Sequence, residues 1–118
     1  MAVIRSLSGD RAFQRLRKGN SGSGKHVTVR WRLSRQGEVR VGIVVSRKVG
    51  KAVVRNRVRR RLREGIRELA RQPFHEGAYD ASRPSFDLLV IARPSAAEAD
   101  YADLKRSLVN AFTRAKLQ

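Results

Sequence analysis

The stretch "AVVRNRVRRRLREGIREL", residues 52–69, constrains this chain more than any other. On a helical wheel at about 100° per residue, Val54, Val58, Leu62, Gly65, Ile66 and Leu69 gather on one arc. Arg59, Arg63, Asn56, Arg67, Arg60 and Arg57 succeed one another around the rest, a basic face roughly 160° wide. A helix divided this way has to bury its arc against an apolar layer, here a sheet, and turn its other side outward. It runs from about Ala52 to Gln72, where Pro73 stops it. Arg55 is the exception: it falls inside the apolar arc, so it either snorkels out or meets a specific partner.

A solvated helix face is usually laced with ion pairs, and here counting argues against that. Glu64 and Glu68 stand against eight arginines from Arg55 to Arg71. Like charges four apart, such as Arg55 with Arg59 and Arg59 with Arg63, cost a few tenths of a kcal/mol each. The whole chain repeats the imbalance, with 27 Lys plus Arg against 10 Asp plus Glu and a net charge of +17. Such an excess repels itself and points to an anionic partner. Nucleic acid comes first, because each neutralised phosphate releases a counterion. A membrane surface comes second, but it would want exposed Trp, Phe or Leu opposite the basic face. Arg47, Lys48 and Lys51 feed the helix start, where free backbone N–H groups favour a phosphate, and Gly50 permits close approach. Arg11, Arg15, Arg17 and Lys18 add to the basic surface.

The remaining segments supply the apolar layer. Ser8 and Asp10 open a short helix, Gly9 to Lys18, that Gly19 ends. "NSGSGK" reads as a flexible loop. Val27, Val29, Trp31 and Leu33 alternate with polar residues, and so do Val39, Val41, Ile43 and Val45. These are two strands expected to pair as an antiparallel hairpin across "SRQGE". Residues 73–85 form an irregular connection. "FDLLVIARP" is a strand buried on both faces. Ser95 can cap a last helix, one face of which is marked by Tyr101, Leu104, Leu108, Phe112 and Ala115. The order is α-β-β-α-β-α, a single α+β sandwich domain over residues 1–118.

No catalytic constellation emerges. His26 and His75 stand alone, the acids show no metal-ligand spacing, and cysteine is absent. The absence of cysteine fits a reducing cytosol, hence a cytoplasmic expectation. No apolar run is long enough to span a bilayer, and "MAVIRSLSG" lacks a signal-peptide pattern.

The string "RVGIVVSRKVGKAVVRNRVRRRLRE", residues 40–64, resembles the protein component of bacterial ribonuclease P. That family carries a Ser-basic-basic-x-Gly loop leading into a helix with Arg-Asn-Arg, here Ser46, Arg47, Lys48 and Gly50, then Arg55, Asn56 and Arg57. "AFQRLRKG" before it and "FDLLVIARP" after it keep the family's order. The resemblance implies an αβββαβα sandwich like the second domain of a small-subunit ribosomal protein, with a left-handed β-α-β crossover and an extra strand near Gly22 to His26.

It also implies the function: a protein subunit that docks on the ribonuclease P RNA and helps it remove the 5′ leader of precursor tRNA. The RNA does the endonucleolytic chemistry with Mg²⁺, no residue of this chain being catalytic and no metal site being its own. RNA-subunit contacts fall to Arg47, Lys48, Lys51, Arg55, Asn56, Arg57, Arg60, Arg63 and Arg67. Leader contacts fall to Phe13, Arg17, Trp31 and Ser46, in a cleft between the first helix and the open sheet face. Arg17 replaces an aromatic common in the family, so it grips the leader as a cation or the cleft differs. Trp31 is a stacking platform or core filler, since Val29 and Leu33 share its face. A monomer within a ribonucleoprotein is expected, away from membranes. The competing readings are a ribosomal or ribosome-assembly protein of similar fold and a stand-alone nuclease.

Overall fold

Phe86–Ala92 forms the centre of the molecule, because nearly every residue in it is apolar and its two faces both need cover. The computed structural model describes residues 4–7, 10–34, 37–71 and 85–118. In chain order it contains β1 (Ile4–Ser6), α1 (Asp10–Leu16), β2 (Asn20–Ser23), β3 (Val27–Leu33), β4 (Val39–Val44), α2 (Ala52–Leu69), β5 (Phe86–Ala92) and α3 (Tyr101–Arg114). A short 3₁₀ turn, Pro94–Glu98, precedes α3. The five strands make one sheet in the order β1-β4-β5-β3-β2.

The expected β3–β4 hairpin does not form. β5 lies between the two strands, antiparallel to β3 along seven paired residues and parallel to β4. Alternation shows that a strand has one buried face, and it is silent about the neighbouring strand. β5, the strand with two apolar faces, takes the middle position. β4, α2 and β5 thereby make a parallel β-α-β crossover.

"NSGSGK" is not the loop its composition suggests: Asn20–Ser23 pairs with β3 as a strand, the extra one implied by the resemblance, placed slightly earlier than Gly22 to His26. Its glycines serve close approach rather than flexibility. A Cβ on Gly22 would lie 2.4 Å from the Ala111 carbonyl oxygen, and one on Gly24 would lie 2.3 Å from that of Ser107. β2 thus sits against the backbone of α3. β1, parallel to β4, is a further strand that sequence reading missed.

The helices divide between the two faces of the sheet. α2 and α3 cover the face that carries Val27, Val29, Trp31, Val39, Phe86 and Leu88, and Val58, Leu62, Ile66, Leu104, Leu108 and Phe112 complete that core. The apolar arc of the long helix is therefore buried as expected, although α2 ends at Leu69. On α3, Leu104, Leu108, Phe112 and Ala115 are buried and Tyr101 is half-buried. Asp100 caps α3, its carboxylate accepting from the Asp103 N–H at 2.8 Å. Ser95, the expected cap, instead places its Oγ 2.8 Å from Nδ1 of His26. His26 is buried, not a lone surface residue.

α1 lies on the opposite face, where Leu16 and a half-buried Phe13 join Leu7 and Leu89 in a smaller cluster. Its end tightens into i→i+3 bonds, closing with the Gly19 N–H on the Leu16 carbonyl. The proposed Ser8 cap, the connection at 73–85 apart from Ser85, and His75 fall outside the described residues. Among those residues no helix is long and apolar enough to cross a membrane.

Candidate nucleic-acid interface

The loop entering α2 is built around two buried valines. Val45 and Val49 turn inward, which leaves Ser46, Arg47 and Lys48 exposed between them. Bonds from the Val49 N–H to the Ser46 carbonyl and from the Gly50 N–H to the Arg47 carbonyl close the turn. Gly50 adopts φ +152°, a conformation that side chains rarely take, and hands the chain to Lys51. α2 then begins with no side-chain cap and no acid in its first turn. Its orphan N–H groups and the exposed Arg47, Lys48 and Lys51 make this end strongly electropositive.

The arginines of α2 divide into two sets. Arg57 donates from Nη2 to the Ala97 carbonyl at 3.1 Å, and Arg61 donates from Nη1 to the Ala99 carbonyl at 2.9 Å. These two side chains tie the helix to the 3₁₀ turn and to the start of α3. Farther along that flank Glu68 accepts from Lys105 and from Tyr101, each at 2.6 Å. These donors hold the Glu68 carboxyl below its usual range, and the carboxylate pushes the Tyr101 phenol up to about 12. Glu68 is thus committed to α3, while Glu64, exposed on the arginine face, is in no ion pair among the described residues.

The second set faces outward. Arg60, Arg63 and Arg67 are exposed and have no hydrogen-bonded or ionic partner among the described residues. Asn56 stands beside them, approached among the described residues only by Arg59 Nη1 at 3.5 Å. Arg63 and Arg67 also line a groove with Arg5, Val41 and Ile43, between the helix and the β1–β4 edge. Arg55 keeps the oddity seen on the wheel: it is half-buried, and its Nε is enclosed with no acceptor among the described residues, as is that of Arg57. An enclosed guanidinium N–H without an acceptor costs on the order of 1–3 kcal/mol until one arrives.

The α1 face of the sheet carries a second surface. Strand register aligns three rows across β3, β5 and β4: Thr28–Ile91–Val44, Arg30–Leu89–Gly42 and Arg32–Asp87–Arg40. Phe13 packs toward the first two rows, beside Val44, Ile91 and Leu89. Arg30 Nη1 donates to the Arg17 carbonyl at 2.9 Å, and Arg93 reaches Thr28 Oγ1 at 3.4 Å. Sequence reading missed Arg30 and Arg93. The signal for Arg30 was a basic residue at a polar position of a strand whose other face is buried, whereas Arg93 follows the end of β5 and carried no such sign.

Trp31 needs correction as a leader contact. Its ring is 4% exposed and lies on the α2/α3 side of the sheet, 6.1 Å edge-on from Phe86. Nε1 donates to the Ala115 carbonyl at 2.7 Å. The core-filler alternative is the one the structure adopts, and the indole is closed to a nucleobase. The structure brings Phe13 and Arg17 to one surface, with Ser46 exposed just beyond β4, and leaves Trp31 on the far side.

Comparison with known proteins identifies the family. The sequence model described as Ribonuclease P matches residues 1–116. The chain is 53% identical to the ribonuclease P protein component of Thermus thermophilus over 112 residues, 95% of this chain and 60% of that protein. It therefore spans about three fifths of the length of the Thermus thermophilus relative. The Clostridioides difficile component is 32% identical over 93% of this chain and 90% of its own length. Among solved structures, the RNase P protein of Staphylococcus aureus superposes with a TM-score of 0.77 at 27% identity, covering 99% of this chain and 98% of that one. The RNase P protein of Thermotoga maritima superposes at 0.68 with 29% identity, covering 90% and 93%. With its α+β sheet and arginine helix, the chain belongs to the ribonuclease P protein family.

Proposed function

We propose that this chain is the protein subunit of ribonuclease P, binding the RNA subunit and the 5′ leader of precursor tRNA to support removal of the leader. The observation that carries the reading is the division of the α2 arginines. Arg57 and Arg61 are tied to backbone carbonyls, while Arg60, Arg63 and Arg67 present guanidinium groups with no acceptor among the described residues. A row of unpaired guanidiniums beside an uncapped helix start is complementary to phosphates of a folded RNA.

The α1 face suits a different ligand. Phe13, Arg17, Arg30 and Arg93 combine an aromatic ring with cations, the pairing that single-stranded nucleic acid recruits. In this reading Phe13 and Arg17 contact the leader, and Ser46 marks its boundary with the RNA-subunit surface.

Chemistry belongs to the RNA, and Mg²⁺ is held there by phosphates. Among the described residues no group of three or more His, Cys, Asp or Glu gathers to hold a metal, so no step is assigned to an ion on this chain. The chain acts as a cytoplasmic monomer within the ribonucleoprotein. The test adds the protein to a ribonuclease P RNA at low Mg²⁺ and follows leader removal. Stimulated cleavage is expected. RNA binding without stimulation refutes the proposal and favours a ribosome-assembly role.

A further inference from the structure

α1 divides its face of the sheet, and the half away from Phe13 carries the row Arg32–Asp87–Arg40. Asp87, 8% exposed, accepts from Arg40 Nε at 2.7 Å and from Nη2 at 2.8 Å, which fixes that guanidinium in the sheet. Beside this pair, Arg15, Leu16 and Arg32 wall a recess of about 370 Å³ that runs under the end of α1. A shallower basin adjoins it, lined by Arg11, Gln14, Arg15, Lys18 and Arg32. The flank thus carries five cations against one acid, already engaged by one of them, a surplus of four (5 − 1). Arg11, Arg15, Lys18 and Arg32 are exposed, with no hydrogen-bonded or ionic partner among the described residues.

The shape and position of the flank choose among anions. A duplex keeps its bases stacked inside and presents a rigid rod, so it cannot send a nucleotide into a recess beneath a helix. A single strand can. The surface of α2 lies on the opposite face of the sheet, which separates this flank from an RNA docked on Arg60, Arg63 and Arg67. It is continuous instead with the Phe13 and Arg17 surface, from which only α1, a helix of seven residues, divides it.

We infer that the Arg15–Arg32–Arg40 flank of α1 is a second single-strand site, which takes leader nucleotides beyond those held beside Phe13. A phosphate meets Arg15 and Arg32 at the rim, and the recess above the Arg40–Asp87 pair admits one unstacked nucleotide. The inference rests on the proposed leader function of the α1 face.

The test uses holoenzyme reconstituted from this chain and a ribonuclease P RNA. Affinity is measured for mature tRNA and for precursors with a graded series of unpaired leaders, using wild type, Phe13→Ala, Arg15→Ala, Arg32→Ala and the double arginine variant. The wild type should gain affinity in two stages as the leader lengthens. The arginine variants should keep the first stage and lose the second, and on the longest leader the salt slope should fall by about one per arginine. Arginine variants that follow the wild type at every length, or that weaken mature tRNA equally, overturn the second site. If Phe13→Ala still weakens the shorter leaders, that failure leaves the leader reading standing. A wild type indifferent to leader length overturns both.

Discussion

Replacing Trp31 by Phe separates a core ring from a base-stacking ring, because phenylalanine can still stack but cannot donate. Trp31 Nε1 donates to the Ala115 carbonyl, one of those that the end of α3 leaves without an intrahelical partner. Losing that donor strands a buried acceptor, at a cost of about 1–3 kcal/mol. The smaller ring also leaves a void beside Phe86, worth about another 1 kcal/mol. The edge-to-face contact with Phe86 is largely retained. The sum is about 2–4 kcal/mol, and at about 4 °C per kcal/mol for a domain of this size the melting point should drop by about 8–16 °C. Trp31 is the only tryptophan, so unfolding has to be followed by circular dichroism rather than indole fluorescence. The ratio of precursor to mature tRNA affinity, measured well below the new midpoint, should not change. An unchanged melting point together with a changed ratio would refute the reasoning.

The two arginine sets of α2 should behave differently. Arg60→Ala and Arg63→Ala should each lower the salt slope of RNA-subunit binding by about one with little change in stability. Arg57→Ala should also cost about 1 kcal/mol in urea unfolding, since it releases the Ala97 carbonyl. Equal stability in all three would erase the distinction. Gly22→Ala should destabilise by about 1–3 kcal/mol in the same assay, because the new methyl meets backbone that cannot turn aside; a neutral result would mean that β2 does not press on α3. The Tyr101 phenol is raised from 10.0 to about 12 by its bond to Glu68, so it stabilises the fold fully below pH 10.0 and loses that contribution as pH climbs toward about 12. The stability difference between wild type and Tyr101→Phe should shrink across that window, and a constant difference would remove the assignment.

What could be read from the sequence depended on whether a residue's role was local. The apolar arc of α2 comes directly from periodicity and the doubly buried β5 from an unbroken apolar run, and both are present. The pairing of strands is a property of the whole sheet, and alternation in β3 and β4 carried no sign that β5 would separate them. The glycines at 22 and 24 looked like flexibility because a close approach to α3 involves residues some 90 positions away (111 − 22 = 89). Among the arginines, the wheel separated inside from outside but could not show that Arg57 and Arg61 would find carbonyls on and just after the 3₁₀ turn. Trp31 was ambiguous for the same reason: its partner, Ala115, comes 84 residues later.

The central place of β5 also bears on how the protein is made. Synthesis delivers β4 and the arginine helix before Phe86–Ala92, yet the β1–β4 and β2–β3 pairs cannot join into one sheet until that strand arrives. A nascent chain that stops after Leu69 therefore exposes its basic helix and the apolar arc together, with no platform beneath them. Such a chain is an adhesive polycation rather than a selective RNA binder. The molecule gains its discrimination only once the late strand slides between its elders, and binding to RNA before that moment is governed by charge alone.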